Sequence, residues 1–483
     1  MMKNEAAVIL QATFPVLLAL IGANPLSAQT AIGKSPLPDA PPAQLVKPAQ
    51  AYPYPSEKQD NLDQSRITQT SFAGQHSRLT RTEAEQTAMK NNPRISAARL
   101  IALAQHQVVR ETRSAELPNV MSSITAEEAE NGSRISAGSL TSSRLFEHAG
   151  GGGAFTQLIT DFGKTRNLVA SSKLQEKAKD ASATATAEDI ILATDQAFYN
   201  ALQAQALLMV AQQSVDTRQA TEVQVSELTK NKLKSALDLS FADVNLSQAK
   251  LLLMDAQNNA DSTIAALDAV LGLDQKVTYD LVDDNTQLQP PPPNAEQLIQ
   301  VGLQQRPDLQ ASKYSQQAAI KFGQAQRDQL FPTISAAGTA GSVPIRPAQY
   351  YNSNWWGGIG VNMNIPIFDG FLYSAQAKEA MIRAQAISEQ GRDLRNQIVR
   401  DIRTSWLGTK TAYQRVSVAD ELLKQANLAL RLAQTRYQMG LSSIVELSQA
   451  QLQQTDAAIG STNAKYQYSL ALAALNYQIG ATP

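Results

Sequence analysis

The second half of this chain repeats the first, and this repeat limits the possible folds more than any other feature. Three segments return later in the chain at offsets of 214 or 208 residues: Leu117–Asn119 as Phe331–Thr333, Ile159–Asp161 as Ile367–Asp369, and Ser235–Ser240 as Ser443–Ser448. The offset changes only between the first and second segments, where a loop would tolerate a change in length. Two copies are too few for a solenoid, so the sequence predicts a duplicated unit about a pseudo-twofold axis.

Each half has the same predicted order of elements: a helix, two strands separated by a loop, and two long helices. The four strands are expected at about 119–127, 153–160, 333–341 and 355–367. The stretch from Phe162 to Gly272 contains no proline and has small or apolar residues at steps of three and four, which predicts helix. One helix of that length would be unusual, so we expect a reversal between about Ala211 and Arg218.

Within the stretch Asn354–Gly370, apolar residues alternate strictly with others from Ile359 to Ile367, which is typical of a strand with one apolar and one polar face. The apolar set is Ile359, Val361, Met363, Ile365 and Ile367. The opposite set is Gly358, Gly360, Asn362, Asn364 and Pro366. Two interpretations stay open on this stretch alone: an edge strand of an ordinary α+β domain, or a strand of a transmembrane β-barrel with its apolar face toward lipid.

The first part of the chain and its middle contain segments that we expect to lie outside the repeats. Residues 1–28 have the pattern of a secretory signal peptide, with an apolar run between Ala6 and Ala23. Residues 29–78 form a Pro-rich leader, which is expected to be extended and disordered. Residues 273–294, with four consecutive prolines from Pro290, are expected to be a linker. The repeats then occupy 79–272 and 295–483.

Composition excludes several classes of function. The 42 Lys and Arg residues balance 43 Asp and Glu residues without a basic run, so no nucleic-acid partner is expected. The chain has no Cys and three widely spaced His residues, so no metal site, cofactor or catalytic thiol is expected. The run Gly150–Gly153 lacks the Lys-Ser/Thr of a phosphate-binding loop and is interpreted as a loop or the start of a strand. The sequence therefore does not predict an enzyme.

Four strands per chain favour an oligomer. Four strands cannot close a barrel, and open edges in lipid leave unpaired backbone groups that cost several kcal/mol each. Two chains would give eight strands, which side chains fill, whereas three chains would give twelve strands around a channel.

Three segments carry a resemblance to a known family: Arg306–Leu309 after the Pro-rich linker, Ile365–Gly370 at the junction between strand and helix, and Arg436–Gln451. Together with the repeat and the signal peptide, they make the chain resemble the TolC family of outer-membrane efflux and secretion channels over about 79–480. The resemblance implies an α+β membrane protein, a homotrimer with a 12-stranded transmembrane β-barrel on a long α-helical coiled-coil barrel.

The resemblance also implies a location and partners. The barrel would lie in outer-membrane lipid, and the helices would extend into the periplasm. A periplasmic adaptor protein and an inner-membrane efflux or secretion pump would dock there, and the pump would supply the energy. Some relatives carry an N-terminal lipid on Cys, and the Cys-free sequence leaves the barrel as the expected anchor.

Candidate residues fall into four groups. Asp161, Asp369 and Gly370 lie at the junctions between strand and helix, where a carboxylate satisfies free N–H groups. The family motif residues Arg436, Tyr437, Gly440, Ser443 and Glu446 are expected in the equatorial region. Asp420 and Glu421, near the expected second reversal, have two open interpretations: a solvated helix face, or, as the resemblance implies, an acidic ring at the periplasmic gate with Tyr413 and Arg415 holding it shut. Trp355 and Trp356 are expected at the membrane interface.

The alternative hypothesis is a periplasmic coiled-coil structural or interaction protein without a channel. In that case the strands would only cap the helices, and the protein would be soluble without detergent. The alternating strand beside Trp355 favours the channel. The sequence names neither cargo nor pump.

Overall fold

The computed structural model describes residues 77–481 except for 129–133, 138–139, 145–147, 275–278, 284–287 and 346–354. The expected signal peptide and nearly all of the Pro-rich leader lie outside the described residues. The chain divides into the units Met1–Ser71 and Phe72–Pro483, and the elements described below all belong to the second unit.

The helices of the two halves follow the same order. They are α1 (Arg81–Asn91), α2 (Pro93–Ser114), α3 (Lys164–Lys230), α4 (Ala236–Leu271), α5 (Ala295–Gln305), α6 (Pro307–Asp328), α7 (Leu372–Gln438) and α8 (Ile444–Gln478). The first four have 11, 22, 67 and 36 residues, and the last four have 11, 22, 67 and 35. Within the described residues, no helix is both long and apolar enough to cross a membrane.

The described strands form three sheets. They are β1 (Ser77–Leu79), β2 (Asn119–Glu127), β3 (Arg134–Ala137), β4 (Leu140–Arg144), β5 (His148–Thr160), β6 (Tyr279–Leu281), β7 (Thr333–Ile345) and β8 (Trp355–Asn364). The main sheet is antiparallel in the order β2-β5-β7-β8. Each long helix, α3 and α7, begins a few residues after one of these strands.

Two short pairs of strands correct the sequence interpretation. β1 pairs in parallel with β6, which lies inside the expected linker 273–294. β3 pairs with β4 inside the expected loop between β2 and β5. Strands of three to five residues are too short to show a period, so the pattern of the sequence did not indicate them.

The first reversal was placed wrongly. α3 continues without a break through 211–218 to Lys230, a length of roughly 100 Å at 1.5 Å per residue. The chain turns between Asn231 and Ser235, with Lys232 at a φ of +58°. Ser235 then caps α4 by accepting the N–H of Asp238. Because the turn has no glycine or proline, only the capping pair marked it.

The helices pack as rows that start from the main sheet. Near the sheet the order of contact is α2, α3, α6 and α7, and toward the turns it is α4, α3, α8 and α7. The first half therefore supplies one outer helix of each row, α2 or α4, and the second half supplies α7 as the other. Many buried residues along these rows are alanines, which allow close approach of the helices.

Candidate functional site

The main sheet has two chemically different faces. Directly paired residues of antiparallel strands lie on the same face, so the register assigns each side chain to a face. One face is mostly apolar: Val120, Ile124, Phe155, Ile334, Trp355, Ile359, Val361 and Met363. The other is mostly small or polar: Ser123, Thr125, Gly152, Thr156, Ser335, Thr339, Gly341, Asn362 and Asn364. The sheet thus has the division expected of a wall between an apolar phase and water.

The described part of the chain leaves the apolar face exposed. Ile124 is 88% exposed, Ile359 is 82% exposed and Val361 is 69% exposed. Contiguous exposed apolar surface of this kind indicates an interaction with a membrane or a partner.

The register separates the two tryptophans that the sequence analysis had grouped together. Trp355 lies on the apolar face, whereas Trp356 lies on the opposite face beside Gly341 and Gly152. Successive residues of a strand point to opposite faces, so both rings cannot be anchors at one lipid interface. The register therefore contradicts the grouping of the two tryptophans on one face, and it places Trp356 on the small and polar face.

The two junction aspartates bind the first turns of the long helices. Asp161 Oδ2 accepts the backbone N–H of Thr165 at 2.7 Å, and Asp369 Oδ2 accepts that of Tyr373 at 2.8 Å. Each carboxylate therefore satisfies an N–H group that has no partner within the helix. Gly370 has a φ of +65°, which favours glycine, and it allows the sharp change from β8 to α7.

The family motif lies at the turn between α7 and α8. Gly440, with a φ of +74°, follows the last turn of α7, and Ser443 accepts the N–H of Glu446 at the start of α8. Because α7 is continuous, this turn is roughly 100 Å along the helix from β8. The equatorial placement of the motif was therefore wrong, and the motif marks the far end of the helices.

Tyr437 joins the two helical hairpins, α3–α4 and α7–α8, at this end. It is 3% exposed and packs in a cluster of residues from all four helices: Val225, Ala242, Ala433, Ile444, Leu447 and Ala450. Lys234 Nζ, from the turn between α3 and α4, lies 4.6 Å from the centroid of the Tyr437 ring. Arg436 Nε lies 3.2 Å from Glu446 Oε1 across the other turn. The two turns are thus held together within one chain.

The four proposed gate residues lie within α7, away from either turn. Asp420 is 18 residues before Gln438, or roughly 27 Å along the helix. Its Oδ1 accepts the hydroxyl of Ser461 on α8 at 2.7 Å. Hydrogen bonding from Gln425, together with the charge of Lys424, lowers the pKa of Glu421.

The aromatic and basic members of that group lie on the packing between α7 and α8. The ring of Tyr413 lies 5.3 Å from that of Tyr468 on α8, and Arg415 lines a groove between the same two helices. The expected position at a reversal was therefore wrong, because α7 does not bend there.

A buried ionic cluster, which the sequence analysis missed, lies where α1 packs on α3. Arg81 contacts both Glu85 and Asp195, the latter at 3.4 Å. Burial and a hydrogen bond with Glu85 raise the pKa of Asp195 to about 7 against the opposing charge of Arg81. The sequence signal for this cluster was a charged residue, Asp195, within the stretch of α3 whose small and apolar residues recur at steps of three and four.

This cluster predicts that stability falls as the pH rises. An unfolded Asp has a pKa of about 3.9, so between pH ~4 and ~7 the folded chain holds a proton that the unfolded chain releases. The free energy of unfolding is then greatest below this range, declines through it and is level above pH ~7. Asp195→Asn is expected to remove this contribution, as measured by thermal unfolding in detergent from pH 5 to 8. An unchanged slope in the variant would assign the pH dependence to other groups.

Comparisons with known proteins agree with this architecture. Residues 85–273 and 298–481 match the model of the family described as "Outer membrane efflux protein". The chain is 23% identical over 337 residues to Outer membrane protein TolC of Salmonella enteritidis, which covers 67% of each chain. It is 23% identical over 417 residues to Outer membrane protein TolC of Vibrio cholerae, covering 81% of this chain and 89% of that protein.

A solved structure shares the fold. The CmeC outer membrane channel of Campylobacter jejuni superposes with a TM-score of 0.73 at 18% identity, covering 83% of this chain and 85% of that one. The family match extends over well over half of the chain, in both halves. The chain therefore belongs to the outer membrane efflux protein family, and it is an efflux channel of the outer membrane.

Proposed function

We propose that three copies of this chain form a continuous passive duct across the periplasm and the outer membrane. The observation that carries this proposal concerns the edges of the described part of the chain. In the main sheet and in the helical rows, the element at one edge comes from the first half and the element at the other edge comes from the second half. Those edges complete one another in a ring of identical chains.

The first pair of edges is in the main sheet. β2 and β8 are its outer strands, and among the described strands each has a neighbour on one side only. Unpaired backbone groups cost several kcal/mol each in lipid, so β8 of one copy must pair with β2 of the next. Three copies then give a closed barrel of twelve strands, wide enough for a passage.

The second pair of edges is in the helices. α4 exposes Leu237, Phe241, Val244 and Leu251, which follow the spacing of a coiled-coil seam. On the other outer helix, Val418 is 70% exposed and Leu422 is 59% exposed. α4 of one copy packing against α7 of the next would bury both stripes. Nearer the sheet, α2 exposes Leu100 and Leu103 toward the same kind of contact.

The duplication fits this ring. We propose two repeats at 79–272 and 295–483, joined by the segment 273–294, which alternate around the trimer as six similar units. The matching lengths of the helices and the family match in each half support this arrangement. The helical hairpins would extend into the periplasm, because the turns lie at the far ends of helices that start at the sheet.

The duct needs partners to do work. We propose that a periplasmic adaptor protein docks on the helices and joins the channel to an inner-membrane efflux or secretion pump. The pump would supply both energy and cargo selection, and the cargo would be small molecules or polypeptides. Trp355, on the apolar face, would lie at the interface with membrane lipid.

The periplasmic mouth has two candidate acidic rings. Asp420 and Glu421 would form one ring roughly 27 Å above the turns. Asp238 and Glu446, in the first turns of α4 and α8, would form another at the turns themselves. Three copies of either pair would attract cations. The two rings can therefore be told apart only by which pair of substitutions changes the ion selectivity.

Planar-bilayer conductance of the detergent-purified protein tests the duct. Step-like openings are expected from the unmodified protein, with a preference for cations. Two double variants, Asp420→Ala with Glu421→Ala and Asp238→Ala with Glu446→Ala, locate the mouth by loss of that preference.

The outcomes separate the parts of the proposal. Loss of selectivity in only one double variant identifies the corresponding ring. Selectivity unchanged in both would discard both rings and keep the duct. A protein that stays soluble without detergent and gives no openings would overturn the duct.

A further inference from the structure

A wide aromatic ring lies in a row of very small residues on the polar face of the main sheet. The register places Ser123, Gly152, Gly341 and Trp356 directly beside one another on β2, β5, β7 and β8. Gly152 belongs to the run Gly150–Gly153, so this run is part of β5, and at Gly152 the indole of Trp356 takes the place of a side chain.

The indole occupies the space that the two missing side chains would fill. A Cβ placed on Gly341 would lie 2.8 Å from Trp356 Cζ2, and one on Gly152 would lie 3.3 Å from the same atom. The ring therefore extends from β8 across β7 toward β5 and lies close against the backbone. Trp356 is nonetheless 48% exposed, so one side of the ring is covered by the sheet and the other is open.

The described row next to the ring is uncharged. On the same face it consists of Met121, Ala154, Thr339 and Gly358, without an ionisable side chain. A ligand bound over this row would meet no counter-charge from these residues, so it would be held by contact with the flat π-surface. Planar aromatic molecules fit such a surface best, because offset stacking of rings is favourable beyond the area it buries.

We propose that Trp356, lying over Gly152 and Gly341, is a stacking platform for planar aromatic cargo on the inner wall of the duct. This inference rests on the proposed trimeric barrel, in which the polar face lines the passage. Three copies place three platforms around the lumen at one level. The glycines keep the rings flat, so the platforms contact passing cargo without narrowing the passage.

The test uses single-channel recording of the purified protein with two probes. Ethidium is a planar aromatic cation, and tetraethylammonium is a cation of the same charge without an aromatic ring. Ethidium is expected to cause transient blocks whose duration falls roughly three- to tenfold in Trp356→Ala, the range that loss of one stacked ring gives. Blocks by tetraethylammonium should shorten less, because this cation can interact with the indole face through its charge but has no ring that stacks on it.

Matched variants control for general effects on the barrel. Trp355→Ala removes the adjacent indole from the opposite face and should leave the ethidium blocks unchanged. Trp356→Phe keeps a flat ring and should retain most of the block duration, whereas Trp356→Leu keeps apolar volume without a π-surface and should lose it. If the Ala variant does not assemble, the Leu variant still tests whether the π-surface of Trp356 prolongs the ethidium blocks.

Gly341→Val tests the geometry without any probe. Its side chain would enter the space of the indole and lift the ring into the passage, so open-channel conductance is expected to fall. Unchanged conductance would overturn the flat placement. Openings with ethidium blocks that do not depend on Trp356 would overturn the platform while the duct stands. Absence of openings from the unmodified protein would instead overturn the duct.

Discussion

Val361→Arg is expected to prevent assembly of the protein in the outer membrane. Val361 lies on the apolar face of β8 and is 69% exposed in the single chain. An arginine facing lipid in a transmembrane barrel costs about 2–4 kcal/mol near the middle of the bilayer, and every copy in a trimer would incur that cost. The measurement is the amount of protein in the outer-membrane fraction, together with the mass of the detergent-extracted complex.

The adjacent residue gives a matched control. Asn362 lies on the polar face, next to Val361 in the same strand. Asn362→Arg introduces the same charge at the same height but on the face that would line the proposed lumen, so the variant is expected to assemble and to change ion selectivity. Equal assembly of both variants would contradict the assignment of the two faces.

Tyr437→Ala is expected to separate the two helical hairpins at their turns. The ring is 3% exposed and contacts residues of α3, α4, α7 and α8. Removing a buried aromatic side chain costs about 3–5 kcal/mol, including the cavity that it leaves. Hydrogen exchange should therefore increase in residues 225–242 and 433–450, with a smaller change near the sheet.

Tyr437→Phe distinguishes loss of packing from loss of the hydroxyl. The Tyr437 hydroxyl is buried without a hydrogen-bond partner among the described residues. Its removal is expected to be neutral or to stabilise by about 1 kcal/mol, because an unsatisfied buried hydroxyl is itself unfavourable. Faster exchange in the Phe variant would show that the hydroxyl, rather than the ring, joins the hairpins.

The strands of the main sheet could be predicted from the sequence because their signal is local. Alternation of apolar and polar residues predicted the fourth strand at 355–367, and β8 is Trp355–Asn364. The first strand was expected at 119–127, and β2 is Asn119–Glu127. Side chains that alternate between lipid and water leave this period directly in the sequence.

The position of the turns was less visible. The local signs were the capping pair Ser235 and Asp238 for the end of α3, and Gly440 with the capping pair Ser443 and Glu446 for the end of α7. The prediction relied instead on an assumed helix length, which placed both reversals too early in the chain. Because α3 and α7 are longer than assumed, the proposed gate residues lie inside α7 and the family motif lies at its end.

The candidate sites divide into local contacts, which the sequence predicts, and contacts between distant segments, which it does not. The capping contacts of Asp161 and Asp369 could be predicted, because a cap acts on residues four positions away. The contact of Arg81 with Asp195 could not, because those residues are 114 positions apart and meet only when α1 packs on α3. Trp356 over Gly152 depends on pairing between three strands, so it too requires the register.

The sequence alone determined the order of the elements, the alternating face of β8 and the resemblance to the family, because each depends on neighbouring residues or on a repeat within the chain. The tertiary structure decided which residues of distant segments meet: the two faces of the sheet, the order β2-β5-β7-β8 of its strands, and the place of Tyr437 between the turns. Strand register and helix packing are interactions between segments far apart in the chain, and a local pattern does not encode them residue by residue.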